Sequence, residues 1–282
     1  MLSEQQLNTA YQYACEVELQ AFKPGNVSVY ADGHDMTVED FRVSAEQSAT
    51  PISNINYSLG ERIYYAVKAT RDAVGCNTNL GIILLSAPLL MAAQKAQTAD
   101  ELRVQLAGIL ANTTVTDAEW VFRAIALAAP GGLGESKQQD VAQKPEVTLT
   151  QAMKIASEKD RIALQFTTNY KDVFDFLVLR YNLALNRWGD AGWSAVAVFS
   201  AMLAKYPDSH IERKYGNLHT RMVMDTMALV DDKLSEAGKP EQLVDYLKII
   251  DTKFKLAGIN PGTTADLTVV TVLTVQLQQL LG

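Results

Sequence analysis

The sequence GCNTNLG at residues 75–81 runs directly into IILLSAPLLMAA at residues 82–93. From Leu80 to Ala93 the chain carries no charged side chain and a single hydroxyl. A helix that is apolar on every side is buried in a protein core or in a membrane. The run is shorter than the ~20 residues that span a bilayer, and Pro88 further disfavours a membrane span. The stretch therefore predicts a buried helix at the centre of the fold.

The polar residues that precede this helix predict a binding site at its N-terminus. Asn77, Thr78 and Asn79 would lie at the positive end of the helix dipole, beside backbone N–H groups that have no partner within the helix. Anions bind readily at such a position. The alternative is that Asn77 or Thr78 simply caps the helix. The stretch alone does not decide between the two.

Composition and charge restrict the class of protein. The 282 residues are 48% hydrophobic and 20% charged, as in an ordinary globular protein. The formal net charge of −7 disfavours general affinity for nucleic acid or anionic membranes, so we expect neither as a partner. The N-terminal residues lack the basic segment of a secretion signal. The cysteines, Cys15 and Cys76, form no disulfide framework, and we therefore expect a cytoplasmic protein.

Common nucleotide and zinc motifs are absent from the sequence. It contains no P-loop, no GxGxxG turn and no HExxH signature. If a nucleotide binds to this chain, another arrangement of residues must hold it.

Helical patterns cover most of the chain and predict an all-α protein. No stretch shows convincing period-two alternation bounded by turns, and capping patterns at Thr37, Thr98, Thr116 and Thr263 predict helix starts. The β-branched C-terminal segment would also suit a strand, but its capping pattern favours a helix. We predict a single globular multi-helix domain over residues 1–282, with a polar loop at 135–148 after a glycine cluster at 131–134. The predicted helices span 3–20, 37–51, 56–73, 80–93, 150–166, 170–187, 191–205, 210–235 and 239–256, with others starting near 98, 116 and 263.

Three further segments concentrate side chains that bind ligands or act in catalysis. They lie at residues 21–36, 207–216 and 258–266, each near a helix start and beside Gly or Pro. Loops carry function more often than the elements they join. Together the segments offer the carboxylates, amides and cations that would bind a polyphosphate and its metal ion. The candidate residues are Lys23, Gly25, Asn26, Ser28, His34, Asp35, His210, Arg213, Lys214, Gly262, Thr263 and Asp266.

Each segment also has an ordinary structural explanation. Lys23 could be an exposed turn residue, Asp35 a helix N-cap, and Asp266 the third residue of a capping box. The charged cluster at 210–214 could be a solvated helix face. The histidines have no partner at metal-ligand spacing, which disfavours them as metal ligands.

Four motifs in this chain resemble the triphosphoribosyl-dephospho-CoA synthase family. They are KPGNVS at 23–28, GHDM at 33–36, NTNLG at 77–81 and NPGTTADL at 260–267, and they follow the family's order along the whole chain. The resemblance implies an all-helical cytoplasmic enzyme. It also implies a transferase that moves the 5-triphosphoribosyl group of ATP to the 2′-hydroxyl of dephospho-CoA and releases adenine. The product is the precursor of the prosthetic group of citrate and malonate lyase-type carrier proteins.

Two motifs depart from the lyase-associated enzymes of the family. Those enzymes typically read Asn-Thr-His-Lys-Gly where this chain has NTNLG, and Pro-Gly-Gly-Ser-Ala-Asp where it has PGTTAD at 261–266. This chain is more similar to the branch found in archaea and in bacteria that use pterin-type one-carbon carriers. The acceptor is therefore open between dephospho-CoA and another cofactor precursor, such as one for tetrahydromethanopterin. A hydrolytic outcome and a non-catalytic nucleotide-binding protein are further alternatives.

The resemblance assigns roles to the candidate residues as hypotheses. Asp35 and Asp266 would act as the catalytic carboxylates or as ligands of Mg²⁺, which prefers carboxylate and phosphate oxygens. Lys23 would bind phosphate, with Arg213 and Lys214 as helpers. The remaining substrate-binding candidates are Gly25, Asn26, Ser28, His34, Asn77, Thr78, Asn79, His210, Gly262 and Thr263. We expect ATP and a small-molecule cofactor precursor as substrates, and a homodimer is left open.

Overall fold

The computed structural model describes residues 1–31, 33, 36–129, 141 and 143–282. In these ranges the chain forms fourteen α-helices and no β-strand, which confirms the predicted all-α class. The glycine cluster at 131–134 and residues 135–140 of the predicted loop lie outside the described residues. The helices are α1 (Glu4–Gln20), α2 (Val38–Ser53), α3 (Leu59–Val74), α4 (Leu80–Ala93), α5 (Ala99–Ala111), α6 (Val115–Ala128), α7 (Leu149–Ala156), α8 (Arg161–Thr168), α9 (Val178–Trp188), α10 (Ala191–Lys205), α11 (Ser209–Tyr215), α12 (Thr220–Glu236), α13 (Val244–Leu256) and α14 (Gly262–Leu281).

Helix α4 is the buried central helix that the sequence predicts. All of its residues except Leu80 and Met91 are buried, and it packs against α1, α2, α3, α5, α8 and α14. Each buried Leu or Ile in such a helix contributes about 1.5–3 kcal/mol relative to an exposed position. The helix continues through Pro88, although proline removes a hydrogen-bond donor there. In the described part of the chain, no helix is long and apolar enough to cross a membrane.

Helix α14 is the second central element and packs along α4. Its composition suits a strand, but the hydroxyls of its buried threonines are satisfied within the helix. Thr268 and Thr271 donate to the carbonyls four residues earlier at 2.8 and 2.7 Å, as does Thr274 at 2.7 Å. Because no polar group is left unpaired by these bonds, α14 can lie among α1, α4, α5 and α10 in the core.

Two predicted helices are each divided by a residue that starts or ends a helix. The 150–166 segment is broken between α7 and α8, because Asp160 Oδ1 accepts the N–H groups of Ile162 and Ala163 at 2.8 and 3.1 Å. The 210–235 segment is broken between α11 and α12 at Gly216, whose φ of 58° ends the first helix. The 170–187 segment contains a π-helical turn before α9, and the 239–256 segment begins with a 3₁₀ turn before α13.

Two predicted capping boxes are wrong in detail, whereas those at Thr37 and Thr98 cap α2 and α5 as predicted. The cap of α6 is Thr114 rather than Thr116, and its hydroxyl accepts the N–H of Asp117 at 3.0 Å. Thr263 does not cap α14, which begins at Gly262 without a side-chain cap from its own segment. Asp266 therefore does not belong to a capping box.

Candidate active site

A cavity of about 350 Å³ opens where the N-terminal ends of α4 and α14 meet. Such a volume lies within the usual range for small-molecule sites. Helix α1, the starts of α8 and α11 and the loop at 26–27 add to the polar part of its wall, and aliphatic and aromatic side chains contribute the apolar part. Among the described residues, the polar lining is Glu18, Asn26, Asn77, Thr78, Asp160, His210, Arg213, Asn260, Thr263 and Asp266.

The polar residues at the N-terminus of α4 are hydrogen-bonded to serines of α2. Thr78 donates to Ser44 Oγ at 2.6 Å, and Asn79 Nδ2 donates to Ser48 Oγ at 3.3 Å. Asn77 Oδ1 accepts the Leu80 N–H at 3.2 Å, although the N-cap position is Asn79, whose side chain makes no capping bond. The bond to Asn77 uses one donor, and the next N–H groups of the first turn have no intrahelical acceptor.

The carboxylate of Asp266 lies directly against Gly81 in the first turn of α4. A Cβ atom added to Gly81 would be 2.5 Å from Asp266 Cγ and 2.7 Å from Ile162 Cδ1. Real Cβ atoms essentially never approach so closely. Glycine at position 81 is therefore what allows a carboxyl group from α14 to lie at the N-terminus of α4.

The surroundings of Asp266 favour its protonated form. Burial raises the pKa of this carboxyl well above its ordinary value, and the nearby Glu18, Asp208 and Asp160 raise it further, while Arg213 lowers it. No described residue donates a hydrogen bond to its side chain. A buried carboxyl group to which no described residue donates a hydrogen bond is a candidate for chemistry or for a cation that arrives with a ligand.

Among the residues that the structure describes, Arg213 is the arginine or lysine that lines this cavity. Its Nη1 donates to Asp160 Oδ2 at 3.2 Å, and its Nε is buried without a partner among the described residues. The side chains of Arg213 and Asp160 are each about one-quarter exposed. Among the described residues only Asp160 accepts from this guanidinium, so donors remain for an anion in the cavity.

The KPGN turn and the loop before α14 pack against each other under the cavity. Gly25 has a φ of 84°, and an added Cβ would be 2.8 Å from the carbonyl oxygen of Ile259. Its N–H donates to Asp251 Oδ1 at 2.8 Å. Next to it, Asn26 Nδ2 donates to Asn260 Oδ1 at 2.7 Å. Residues from opposite ends of the chain are therefore fixed side by side in the cavity wall.

Lys23 does not line the cavity but lies buried behind its wall. The side chain is fully buried and donates to the carboxylate of Glu18, to Asn26 Oδ1 at 3.3 Å and to the Val27 carbonyl at 2.8 Å. Burial lowers the pKa of the Lys23 ammonium and raises that of the Glu18 carboxyl, and their attraction opposes both shifts.

Asp208 joins the N-terminus of α14 to that of α11. Its Oδ1 accepts the N–H groups of His210 and Ile211 at 2.9 and 3.1 Å. Its Oδ2 accepts the N–H and the hydroxyl of Thr264 at 2.8 and 2.7 Å. Beside it, the Ser209 and Thr263 hydroxyls are 2.9 Å apart. Burial raises the pKa of Asp208, and these hydrogen bonds oppose the shift.

We expect Asp208→Asn to lower the free energy of unfolding by about 2–4 kcal/mol, because a hydrogen bond to a charged group contributes about 1.5–3 kcal/mol. The amide keeps one acceptor but places an NH₂ group against Thr264 or His210. Urea denaturation measures the loss. Asp40→Asn is the matched control, since Asp40 caps only its own helix at an exposed position, and it should cost less than about 1 kcal/mol. Equal losses in the two variants would contradict the bridging role.

The structure brings most of the predicted site residues together. Eight line the cavity, namely Asn26, Asn77, Thr78, His210, Arg213, Gly262, Thr263 and Asp266. Five do not line it, namely Lys23, Gly25, Ser28, Asn79 and Lys214. Of these, Lys214 is exposed, with its ammonium 5.1 Å from the centre of the Tyr215 ring. His34 and Asp35 lie outside the described residues.

Sequence reasoning missed four residues of this site. Glu18 had a signal, because positions 7, 11, 14 and 18 form one face of α1 and the first three are apolar. A carboxylate on a buried face indicates a specific partner. Asp160 was hidden inside a helix that was predicted as continuous. Asp208 and Asn260 lay within singled-out segments, but their pairing across the chain has no local pattern.

Comparisons with known proteins identify the family and support the fold. The sequence model of the family CitG, described as ATP:dephospho-CoA triphosphoribosyl transferase, matches residues 4–282. The chain is similar to the crystal structure of a protein from Archaeoglobus fulgidus assigned as a triphosphoribosyl-dephospho-CoA synthase, with a TM-score of 0.62 and 23% identity. That similarity covers 83% of this chain and 97% of the other and supports the fold. No curated protein matches this chain.

Since the family model extends over nearly the entire sequence, this chain belongs to the ATP:dephospho-CoA triphosphoribosyl transferase family.

Proposed function

We propose that this cavity transfers the 5-triphosphoribosyl group of ATP to a hydroxyl of dephospho-CoA and releases adenine. The reaction is the one in the family's name. The observation that carries the proposal is the meeting of two long helices at one cavity, with the Asp266 carboxyl between their N-termini and Arg213 in the wall.

The helix ends suit a triphosphate. The side chains of Asn77 and Asp208 accept hydrogen bonds from the N–H groups of Leu80 and Thr264. The N–H groups of Gly81, Ile82 and Thr263 find no acceptor among the described residues. Free N–H groups and the helix dipoles favour phosphate oxygens at this position. We place the triphosphate across these groups, with Arg213 as its cation.

The apolar wall suits the remainder of the nucleotide. Phe41, Leu84, Ile125 and Ile162 are among the apolar side chains that line the cavity. A purine and a ribose can pack against such side chains, as in most small-molecule sites. The ribose C1 would then lie between the apolar wall and the carboxylates.

Chemically, the transfer replaces one bond at C1 of the ribose by another. The base leaves from the β face and the acceptor oxygen attacks from the opposite face, so one inverting displacement through an oxocarbenium-like state suffices. The side chains must orient the triphosphate, exclude water and remove the acceptor proton. Holding the phosphates at the helix ends fixes the position of C1.

The magnesium ion fits this site as a companion of ATP. Among the described residues, no group of three His, Cys, Asp or Glu side chains could hold a metal ion. Mg²⁺ in nucleotide sites is usually bound by one or two carboxylates and the substrate phosphates, and the partnerless Asp266 carboxylate is such a donor. We propose that Asp266 would hold the ion, which when bound neutralises phosphate charge. Asp35 stays a predicted second ligand or base.

Incubation of the protein with ATP, Mg²⁺ and dephospho-CoA tests the function. We expect free adenine and a product whose mass exceeds that of dephospho-CoA by one triphosphoribosyl group, both detected by liquid chromatography and mass spectrometry. Adenine formed equally without an acceptor would indicate hydrolysis instead. Adenine formed only with a cell extract would indicate another acceptor. No adenine under any condition would contradict the proposal.

Arg213→Ala should raise the KM for ATP by about 10–100-fold, because a hydrogen bond to a charged group contributes about 1.5–3 kcal/mol. The KM of Arg213→Lys should lie between those of the wild type and Arg213→Ala, since lysine keeps the charge but lacks the planar fork of donors. Steady-state kinetics with varied ATP measures both. Arg221→Ala is the control, because Arg221 is 94% exposed in its pair with Asp225. An unchanged KM in Arg213→Ala would remove this residue from the phosphate site.

Other expectations of the sequence stay proposals. The family name favours dephospho-CoA over an acceptor for tetrahydromethanopterin synthesis, and no described contact favours the latter. The cytoplasmic location and a homodimeric state likewise remain predictions.

A further inference from the structure

Glu18 is a carboxylate in the cavity wall to which the reaction above gives no role. It is 4% exposed on α1 and lines the cavity. Its Oε1 accepts from Lys23, whereas Oε2 accepts no hydrogen bond from the described residues. This oxygen is not among the buried unpaired atoms of the described residues, so it is open to the cavity, where a ligand group can reach it.

Lys23 fixes Glu18 rather than serving as a free cation. Its Nζ has three acceptors, Glu18 Oε1, Asn26 Oδ1 and the Val27 carbonyl, which use all three protons of an ammonium group. Asn26 is itself oriented by Asn260. The carboxylate of Glu18 is therefore held in one orientation, with its second oxygen left for the cavity.

The charges around Glu18 suit a base. Burial raises the pKa of its carboxyl and Lys23 lowers it. The groups that act on this pair from neighbouring elements are Asp266 of α14 and Lys255 of α13. Cys15, on the same helix, has its own pKa raised by burial and by Glu18. A carboxylate whose pKa is raised by desolvation is a stronger base than one in water.

We propose that Glu18 is the general base of the transfer and that Lys23 is the residue that positions it. The inference rests on the proposed function. Asp266 belongs to the helix ends, where we place the phosphates, and Glu18 lines the same cavity with Asn26 and Val27. Glu18 is the strongest neighbouring charge that acts on Asp266, so a hydroxyl at Glu18 would lie close to the nucleotide that Asp266 helps to hold.

The step balances without a further reactant. The acceptor O–H bond breaks and its proton moves to Glu18 Oε2, while the acceptor oxygen forms a bond to C1. The C1–N9 bond breaks and its electron pair leaves with adenine, which takes one proton from water. Glu18 returns its proton to solvent as the products leave.

Glu18→Gln tests the role, because the amide can still accept from Lys23 but cannot take a proton. We expect kcat to fall by about 10²–10³-fold, the range for a positioned acid or base, with little change in the KM for ATP. Glu18→Asp should retain more activity than Glu18→Gln. Glu16→Gln is the matched control on the same helix, since Glu16 pairs with Arg42 at the surface, and it should keep wild-type kcat.

The pH profile supplies a readout that a merely structural role would not move. Lys23→Met removes the charge that lowers the pKa of Glu18, so the acidic limb of log kcat against pH should move to higher pH. A wild-type kcat in Glu18→Gln would overturn the inference. If Glu18→Gln unfolds before it can be assayed, an acidic limb that does not move in Lys23→Met would overturn the inference instead. Failure of the proposed function is distinct, because the wild-type protein itself would then release no adenine.

Discussion

Replacement of Asp266 by Asn should lower kcat/KM for ATP by about 10²–10³-fold, a loss comparable with that of removing one preorganised electrostatic group from an active site. The amide has the same shape and keeps its place against Gly81. It loses the negative charge that we assign to the magnesium ion of ATP. Adenine release at varied Mg²⁺ measures the effect, and the variant should also need more Mg²⁺ for half-maximal rate.

The same variant should not lose stability. Because burial raises the pKa of Asp266, its ionised form costs stability in the folded protein. This cost is absent below the unfolded pKa and grows as the pH rises through the folded pKa. The melting temperature of Asp266→Asn should therefore equal that of wild type near pH 4 and exceed it near pH 8. A lower melting temperature at pH 8, or full activity with an unchanged Mg²⁺ requirement, would contradict the assignment.

The fold could be predicted largely because its signals are local. The apolar run after Asn79 has no polar face, so it had to be buried, and the structure gives it the predicted bounds of 80–93. Threonine caps at 37 and 98 are also local, since the capping side chain and the N–H lie three residues apart. The break at Asp160 was missed because Ser157, Glu158 and Lys159 all tolerate a helix.

The site could be predicted only in part because its bonds are long-range. The NPGTTADL motif marked Asp266, but nothing near it in sequence shows that its carboxyl meets Gly81 of another helix. Asp208 accepts the N–H of Thr264, although the two residues are 56 positions apart in the sequence. Lys23 was predicted from its charge to bind phosphate, whereas the structure pairs that charge with Glu18. A pattern identifies residue types, and only packing decides which partners they find.

Gly81→Ala should reduce kcat/KM by about 10²-fold, since a displacement of about 1 Å in a reacting group can cost that much. The methyl group would overlap the Asp266 carboxyl and approach Ile162, so Asp266 must leave its position between α4 and α14. Overpacking of this kind costs about 1–3 kcal/mol of stability. Thermal melts and adenine release measure the two effects separately.

Gly108→Ala is the matched control, because Gly108 lies inside α5 and an added Cβ meets nothing within 4 Å. It should keep full activity and gain up to about 1 kcal/mol from helix propensity. The double variant Gly81→Ala, Asp266→Asn then tests the mechanism of the loss. If the methyl group acts by moving the carboxylate, the double variant should be no less active than Asp266→Asn alone, because the charge that the methyl displaces is already gone. Additive losses would show that Gly81 acts on the phosphate site through its own backbone instead.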